Sequence, residues 1–509
     1  MSDLAALIPQ MQQADFYPHA AADNIELIQT HVSAVFLTGD YAYKLKKAVN
    51  FGFLDYSTLE KRKHFLEAEI EMNSAIAPEL YLEVVAITNE GEKLALNGAG
   101  ETVEYALKMR QFPQENLFIN LFEAGKLKIE QMAELGRIVA QFHKSAQTNE
   151  YISSFGTVEK VREAFDENYQ QTETYIGRAQ TQQQLEETKA YTDQFFAERA
   201  DLFNSRIANN KIKECHGDLH LKNICLWQDK IQLFDRIEFN EPFRFVDVMY
   251  DVAFVMMDLE ARDQKDFANA FLNAYLEQTG DYEGLPLLPL YLSRQAYVRA
   301  KVTSFLLDDP NVPEVAKQEA ISTASDYYQQ AWEYTQNRTG KLIMMSGLSG
   351  AGKTTVAKTI ARHHGAVHLR SDAVRKQIAG IAVEEKGSDN IYTPEMSQKT
   401  YSRLSELGIM LAQEGFTAIL DAKYDRVNYR KEVIEAAKQN NISLQIINCV
   451  APMETLRDRL NNRSGDISDA TAELLASQQA NAEEFTSEEK AYITTVDTSD
   501  ADWNSKISI

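Results

Sequence analysis

Residues 347–354 carry side chains and glycines at a spacing suited to phosphate chemistry, and they read Gly-Leu-Ser-Gly-Ala-Gly-Lys-Thr. The pattern G-x-x-x-x-G-K-[ST] surrounds phosphate oxygens with backbone N–H groups, a lysine ammonium and a hydroxyl that binds Mg²⁺. An apolar strand-like run at 342–346 precedes it and a helical pattern at 354–364 follows, which is the context that the motif needs. We therefore predict nucleotide binding by Gly347, Ser349, Gly350, Ala351, Gly352, Lys353, Thr354 and Thr355, with Thr354 as a metal ligand.

A second pattern at residues 216–223 reads His-Gly-Asp-Leu-His-Leu-Lys-Asn, and Leu-Phe-Asp follows at 233–235. Phosphoryl transfer needs a carboxylate beside the acceptor hydroxyl, an amide oxygen on Mg²⁺ and a second carboxylate on the metal. Asp218, Asn223 and Asp235 match these three requirements in this order. The two histidines of the loop are expected to brace it rather than to bind metal.

Two aspartates follow predicted strands of the C-terminal region. Asp372 comes after the strand at 366–369, at the carboxyl edge where α/β folds bind ligands; helix N-capping is the alternative. Asp421 ends the strand at 418–420 and is predicted to hold Mg²⁺ directly or through a water; a turn aspartate is the alternative.

Arg459 and Arg463 lie four residues apart on a predicted helix and would project from one face. Such a pair is placed to close over transferring phosphates. A solvated helix face with no role in chemistry is the alternative.

The elements that must position the second motif form a β-rich region followed by a helical one. A hairpin is predicted at 35–49 around Gly39-Asp40, because β-branched and aromatic residues flank a turn pair. The other predicted elements are a helix at 57–76, strands at 82–88 and 103–110, and helical stretches at 128–145, 158–204 and 245–336. These elements predict a first domain at 1–335, with a small lobe at about 25–112 and a helical lobe at about 113–335.

Residues 336–341 read as a polar linker, and residues 342–509 as a second domain. Strand-like and helix-like segments alternate beyond the linker, which predicts a parallel sheet covered by helices. The two domains are expected to have different folds.

The composition excludes several classes of protein. The 509 residues include 52 Lys and Arg against 75 Asp and Glu, and 75 − 52 = 23 excess negative charges speak against wrapping nucleic acid or binding anionic membranes. The 3 cysteines are too few for a disulfide framework in this length. With no long apolar stretch in the sequence, we expect a cytoplasmic protein with no membrane partner.

The C-terminal region resembles a group of small P-loop kinases that includes gluconate kinase, zeta-toxin-like kinases and polynucleotide 5′-kinases. The shared pattern is Ser-Asp-x-x-Arg at 371–375, together with the phosphate loop. The resemblance implies transfer of the ATP γ-phosphoryl group to a hydroxyl. It also implies that Asp372 orients or deprotonates the acceptor, that Arg375 holds substrate or phosphate, and that Arg459 and Arg463 belong to a mobile lid.

Residues from about 25 to 330 are similar to aminoglycoside phosphotransferases and their choline-kinase-like and protein-kinase-like relatives, whose catalytic loop is H-G-D-x-x-x-x-N. This similarity implies that Lys44 contacts the α and β phosphates of ATP, with Lys46 as the alternative on the same strand face. No G-x-G-x-x-G loop precedes this lysine, and Gly39 lies in a tight hairpin instead.

The same resemblance assigns two further elements of the small lobe. Glu69 is the implied partner of the lysine, and Glu67 and Glu71 are the competing candidates. The segment from Lys108 to Gln111, with Lys108 and Arg110, ends a strand and is implied to be the hinge between the lobes whose backbone meets adenine.

The order of the two regions resembles bacterial proteins described as bifunctional aminoglycoside phosphotransferase/ATP-binding proteins, although no residue implies an aminoglycoside. The predicted fold class is an α+β bilobal kinase-like N-terminal domain plus an α/β P-loop NTPase C-terminal domain with a parallel sheet. We expect an ATP- and Mg²⁺-dependent kinase with two nucleotide sites and small-molecule hydroxyl acceptors. In one alternative, the C-terminal half is a polynucleotide 5′-kinase or a zeta-toxin-like nucleotide-sugar kinase. In another, one of the two halves is a nucleotide sensor that regulates the other. A nucleic-acid partner is expected only for the C-terminal half.

Overall fold

The computed structural model describes residues 4–91, 93–463 and 465–506. The chain divides into two compact units. The first comprises residues 1–128, 145–164 and 196–255, and the second comprises residues 129–144, 165–195 and 256–509. The second unit contains residues on both sides of the predicted linker, and the domain boundary at 336–341 stays a prediction.

The first unit begins with a six-stranded antiparallel sheet of order β1-β2-β3-β6-β4-β5. Its predicted hairpin is confirmed, because β2 and β3 pair through a turn in which Gly39 has a φ of +108°. The elements up to residue 110 are α1 (Leu4–Met11), β1 (Glu26–Gln29), β2 (Ser33–Leu37), β3 (Tyr41–Lys46), α2 (Leu59–Ser74), β4 (Tyr81–Asn89), β5 (Leu94–Leu96) and β6 (Glu101–Arg110).

The two faces of strand β3 have different roles, since successive side chains point to opposite sides of a sheet. Tyr43 and Leu45 belong to a buried apolar cluster that also contains Leu7 and Met11 of α1. Lys44 and Lys46 lie on the other face, and both bond to helix α2. The N-terminal helix therefore covers one face of the sheet and leaves the other for the lysines.

Helices predominate between the sheet and residue 335, with two short antiparallel ladders, β8–β9 and β7–β10. The stretch predicted to be helical at 158–204 contains three α-helices in the structure, and Gly177 after the first of them has a φ of +79°. The elements are α3 (Phe118–Glu123), α4 (Ile129–Ser145), α5 (Glu150–Ser153), α6 (Val158–Thr172), α7 (Gln182–Glu198), α8 (Ala200–Ala208), β7 (Ile212–Glu214), β8 (Ile224–Trp227), β9 (Lys230–Leu233), α9 (Glu241–Arg244), β10 (Phe245–Asp247), α10 (Val248–Glu260), α11 (Lys265–Thr279), α12 (Leu288–Phe305) and α13 (Glu314–Tyr334).

The remainder of the second unit is built on a five-stranded, all-parallel sheet of order β12-β13-β11-β14-β15. Ile343, Val356 and Ile419 belong to its apolar core, where the first helix packs on the sheet. The elements are β11 (Lys341–Ser346), α14 (Lys353–His364), β12 (Val367–Arg370), α15 (Ser371–Ala379), α16 (Pro394–Gln413), β13 (Thr417–Asp421), α17 (Val427–Gln439), β14 (Ser443–Val450), α18 (Met453–Asn461), α19 (Leu474–Asn481) and β15 (Ile493–Asp497).

The predicted fold class is confirmed: an α+β part with an antiparallel sheet precedes an α/β part with a parallel sheet. Within the part of the chain that the structure describes, no helix has the length and apolar character to cross a membrane. Cys215, Cys225 and Cys449 are all buried free thiols.

Candidate functional sites

The phosphate loop connects the end of β11 to the start of α14. Gly347, Gly350 and Gly352 have φ values of +131°, +80° and +82°, which favour glycine. A Cβ added to Gly347 would lie 2.3 Å from the carbonyl oxygen of Cys449, so the loop also packs too closely for a side chain. The first N–H groups of a helix have no intrahelical acceptor, and those of α14 therefore form a site for anionic oxygens.

Lys353 and Thr354 open helix α14 beside this loop. The Lys353 amine donates to the carbonyl oxygen of Leu348 at 2.9 Å. Burial lowers the pKa of this amine, against the opposing charge of Asp421. The hydroxyl of Thr354 donates to Oδ2 of Asp421 at 2.7 Å. A hydroxyl and a carboxylate are hard oxygen ligands, so this pair fits an Mg²⁺ site.

Asp421 ends strand β13 and is almost fully buried. Nε2 of His368, on the neighbouring strand β12, donates to the same Oδ2 at 3.0 Å. Burial raises the pKa of Asp421, but the bond from His368 and nearby positive charges outweigh it and hold the pKa at about 2. Sequence reasoning missed His368, since a histidine in an apolar strand carries no motif.

Asp372 and Arg375 lie in the first two turns of α15 and line a cleft of about 1200 Å³ with the phosphate loop. Burial raises the pKa of Asp372 and outweighs the charge of Arg370 and the interaction with the Ser468 side chain, which both lower that pKa. Arg375 is buried, donates to the carbonyl oxygen of Ile391 at 3.1 Å, and has its guanidinium carbon 5.3 Å from the ring centre of Tyr392. The two predicted acceptor-side residues are therefore close together and face the same cleft.

Arg459 and Arg463 also line the cleft, but the prediction that they share a helix face is wrong. Helix α18 ends at Asn461, and Arg463 lies beyond it. Arg459 donates to Oγ1 and to the carbonyl oxygen of Thr498 at 2.8 Å each, and more weakly to Gly350. Arg463 donates to main-chain carbonyls of residues 468 and 470. Each arginine therefore braces a different loop of the cleft, and the lid role stays a prediction.

In the first unit, Lys44 connects two carboxylates. Its amine lies 2.7 Å from Oε1 of Glu69 and 2.6 Å from Oδ1 of Asp235. Glu69 is fully buried, whereas the competing Glu67 and Glu71 are exposed. Burial lowers the pKa of Lys44, but the carboxylates outweigh this effect and raise the pKa well above its usual range.

Lys46 lies deeper and has a different set of partners. Its amine bonds to Oε2 of Glu69 at 2.7 Å and to Oε1 of Glu238 at 2.5 Å, and Tyr56 donates to Glu238 at 2.6 Å. Burial raises the pKa of Glu69, but the two lysines outweigh it and lower that pKa to about 2. Only 3% of the Lys46 side chain is exposed, against 14% for Lys44. Lys44 is therefore the more accessible lysine, and it is the one that pairs with the partly exposed Asp235.

Asp218, Asn223 and Asp235 lie together. Nδ2 of Asn223 donates to the carbonyl oxygen of Asp218 at 2.9 Å and to its Oδ2 at 3.1 Å, which leaves the amide oxygen for a cation. The N–H of Phe234 donates to the carbonyl oxygen of Asn223 at 3.1 Å, and the next residue, Asp235, turns with a φ of +64°. An amide oxygen beside a carboxylate again fits Mg²⁺.

Asp251 stabilises the loop at 216–223. Its carboxylate accepts the N–H groups of His216 at 2.8 Å and Gly217 at 2.9 Å. His216 in turn bonds through Nε2 to the carbonyl oxygen of Phe234 at 3.0 Å, and burial lowers its pKa. The histidine therefore connects the two segments of the site and braces them, as its position in the motif suggested.

Lys108 and Arg110 lie at the end of β6, as the sequence pattern predicts. The amine of Lys108 bonds to Glu83 at 3.0 Å, and the backbone N–H of Arg110 donates to the carbonyl oxygen of Leu80 at 2.8 Å. Contact of this segment with adenine stays a prediction.

Comparison with known families and sequences gives one partial match and several full-length relatives. A family model described as an AAA domain matches residues 342–485, which contain the phosphate loop, Asp372 and Asp421. The uncharacterized protein Rv2004c of Mycobacterium tuberculosis is 28% identical over 470 residues, covering 92% of each chain. An uncharacterized protein of Mycobacterium bovis matches to the same extent.

Two solved structures illustrate what parts of the chain are similar to. A gluconokinase from Sinorhizobium meliloti covers 32% of this chain and 86% of its own, at 20% identity and a TM-score of 0.24. A choline/ethanolamine kinase family protein from Mesorhizobium loti covers 65% of this chain and 99% of its own, at 10% identity and a TM-score of 0.37.

Proposed function

We propose that this protein is an ATP-dependent phosphotransferase with two nucleotide sites, each transferring the γ-phosphoryl group of ATP to a hydroxyl of a small molecule. The observation that carries the proposal is that each site brings a lysine into one region with two side chains whose oxygens suit Mg²⁺. These are Lys353 with Thr354 and Asp421, and Lys44 with Asn223 and Asp235.

At the P-loop site, the N–H groups at the start of α14 and the amine of Lys353 bind the β and γ phosphates. Asp372 faces the same cleft, and its raised pKa suits a group that accepts the proton of an acceptor hydroxyl. The acceptor oxygen forms a bond to the γ phosphorus, the bond from phosphorus to the β–γ bridging oxygen breaks, and ADP leaves. Arg375 and Arg459, which line the cleft, stabilise the negative charge on the transferring group.

At the first site, Lys44 binds the α and β phosphates while Glu69 keeps its amine in place. Asp218 accepts the proton of the acceptor hydroxyl, and Asn223 holds the Asp218 carboxylate in position through Nδ2. When bound, Mg²⁺ supplies positive charge that neutralises the phosphate oxygens at both sites. Bond formation and cleavage are the same as at the P-loop site.

The charges around the P-loop cleft favour a small acceptor over a polyanion. Described residues of both signs line it in nearly equal number, seven cationic (Lys353, Arg375, Lys386, Lys423, Arg426, Arg459, Arg463) and six anionic (Asp372, Asp421, Asp425, Asp466, Asp469, Glu483). A polynucleotide binds through many phosphate contacts with cationic side chains. The carboxylates on these walls would repel such a chain, so the P-loop site is less suited to a polynucleotide 5′-kinase than to a small-molecule kinase.

The test is ATP consumption and product formation by the full chain with sugars, nucleosides, aminoglycosides and oligonucleotides as acceptors. Separate Asp218→Asn and Lys353→Ala variants assign each activity to one site. We expect each variant to abolish phosphorylation of one acceptor class and to leave the other class unchanged. Turnover that no acceptor stimulates would refute the proposal, and labelling of oligonucleotide ends would replace it for the P-loop site.

A further inference from the structure

Strand β12 is an edge strand of the parallel sheet, and it ends at Arg370, directly before Ser371 and Asp372. An edge strand presents backbone N–H and C=O groups that need partners. Helix α11, which the sequence pattern assigned to the helical lobe of the first domain, lies against this edge. The two elements belong to the same compact unit.

Two asparagines of α11 supply the hydrogen bonds that a further strand would supply. Nδ2 of Asn269 and Nδ2 of Asn273 each donate to the carbonyl oxygen of Ala366 at 3.0 Å. The backbone N–H of His368 donates to Oδ1 of Asn273 at 2.7 Å. The asparagines are four residues apart, so they lie on one helix face and anchor α11 to β12.

Glu277 is the next residue on this face, and it bonds to the last residue of β12. Its Oε2 accepts from one nitrogen of Arg370 at 2.9 Å, and its carbonyl oxygen accepts from Gln377 of α15 at 2.9 Å. Arg370 is buried, and its other terminal nitrogen donates to both carboxylate oxygens of Asp466, at 2.9 and 3.0 Å. One guanidinium therefore joins α11 to the segment 465–470.

Residues 465–470 lie beside the acceptor end of the cleft. The Lys376 amine donates to the carbonyl oxygen of Ile467 at 2.8 Å, and Ser468 lines the cleft with Asp372 and interacts with its carboxylate. Asp469 accepts the N–H of Gly387 at 3.0 Å. The position of Asp372, the group proposed to face the acceptor, is therefore tied to the same segment that Arg370 holds.

We propose that Glu277 is a positioning residue of the P-loop site: by holding Arg370 it fixes residues 465–470 beside Asp372, and so sets the affinity for the acceptor. This inference rests on the proposed phosphotransferase function of that site. The nucleotide is bound by the loop at 347–354, which Glu277 does not contact. Its loss therefore weakens acceptor binding and leaves ATP binding unchanged.

The activity test compares the full chain with its Glu277→Gln variant, using the acceptor that the P-loop site accepts. We expect KM for the acceptor to rise about tenfold, the effect of losing one charge-assisted hydrogen bond, with the KM for ATP within about twofold. Glu283→Gln is the matched control, because Glu283 pairs with Arg403 in the same unit and does not contact residues 465–470. An unchanged acceptor KM in Glu277→Gln, or an equal rise in the control, would overturn the inference.

A second measurement does not require turnover. Hydrogen–deuterium exchange of the amides at 465–470 is expected to quicken about tenfold in Glu277→Gln and in Asp466→Asn, with no further increase in the double variant, because both break one coupled network. The exchange rate in Glu283→Gln should equal that of the unmodified chain. If the unmodified chain phosphorylates no acceptor, the proposed function fails, and the exchange rates still decide the role of Glu277. Equal exchange in all chains would refute that role.

Discussion

Separate replacement of Lys44 and Lys46 in β3 distinguishes a role in phosphate binding from a role in the stability of the folded chain. Lys46→Met leaves the carboxylate of Glu238 buried, with 4% of its side chain exposed, and with Tyr56 as its remaining partner. Breaking one partner of a buried ion pair costs about 3–5 kcal/mol. Lys44→Met leaves Glu69 paired with Lys46 and leaves Asp235 with 42% of its side chain in solvent, so we expect a loss of about 1 kcal/mol.

Catalysis should show the opposite order. Lys44 reaches the carboxylate proposed to bind metal, and removal of one electrostatic contact to a transferring phosphoryl group lowers kcat by about 10²- to 10³-fold. Scanning calorimetry of the unfolding transition of the first unit, together with phosphorylation by that site, measures both effects. Lys61→Met, which removes an exposed ion pair with Asp55, is the control and should change neither quantity measurably. The reasoning is refuted if Lys46→Met keeps full stability and Lys44→Met keeps full activity.

Three further changes test other parts of the account. Asp372→Asn should lower kcat of the P-loop site by about 10²- to 10⁴-fold while calorimetric ATP affinity stays the same; retained kcat would exclude this residue as the base. The pKa of Glu69 is about 2 in the folded chain and about 4.3 when unfolded, so its stabilisation is complete above about pH 5 and is lost as the pH falls towards 2. The difference in the free energy of unfolding between the unmodified chain and Glu69→Gln should therefore narrow from pH 7 to pH 3, and a constant difference would contradict this assignment. Asn273→Ala should cost about 1–3 kcal/mol in urea unfolding, because it leaves the N–H of His368 without its acceptor; an unchanged midpoint would show that α11 does not stabilise the sheet edge.

Much of both candidate sites could be predicted from the sequence because the residues concerned lie in short, continuous motifs. The phosphate loop keeps Lys353 and Thr354 adjacent to the glycines that shape it, and one loop supplies both Asp218 and Asn223. The hairpin of β2 and β3 also followed from local turn chemistry. Local patterns of this kind need no knowledge of tertiary packing.

Other features depend on contacts between residues far apart in sequence. Lys46 and Glu238 are 192 residues apart, and no spacing rule predicts that they form a buried pair. Helix α11 showed only an ordinary helical pattern, although its asparagines complete the edge of a sheet that begins far beyond it. The spacing of Arg459 and Arg463 predicts that both lie on one helix, whereas the helix ends at Asn461. Helix ends are set by capping and packing, which periodicity does not reveal.

The central claim is that one chain holds two separate nucleotide sites, and the stoichiometry of ATP binding tests it most directly. Isothermal titration calorimetry with Mg²⁺ and a non-hydrolysable ATP analogue should give two nucleotides bound per unmodified chain. Lys353→Ala and Lys44→Met should each reduce the number to one, and the double variant should bind none. A single nucleotide per unmodified chain, or two still bound by either single variant, would contradict the account.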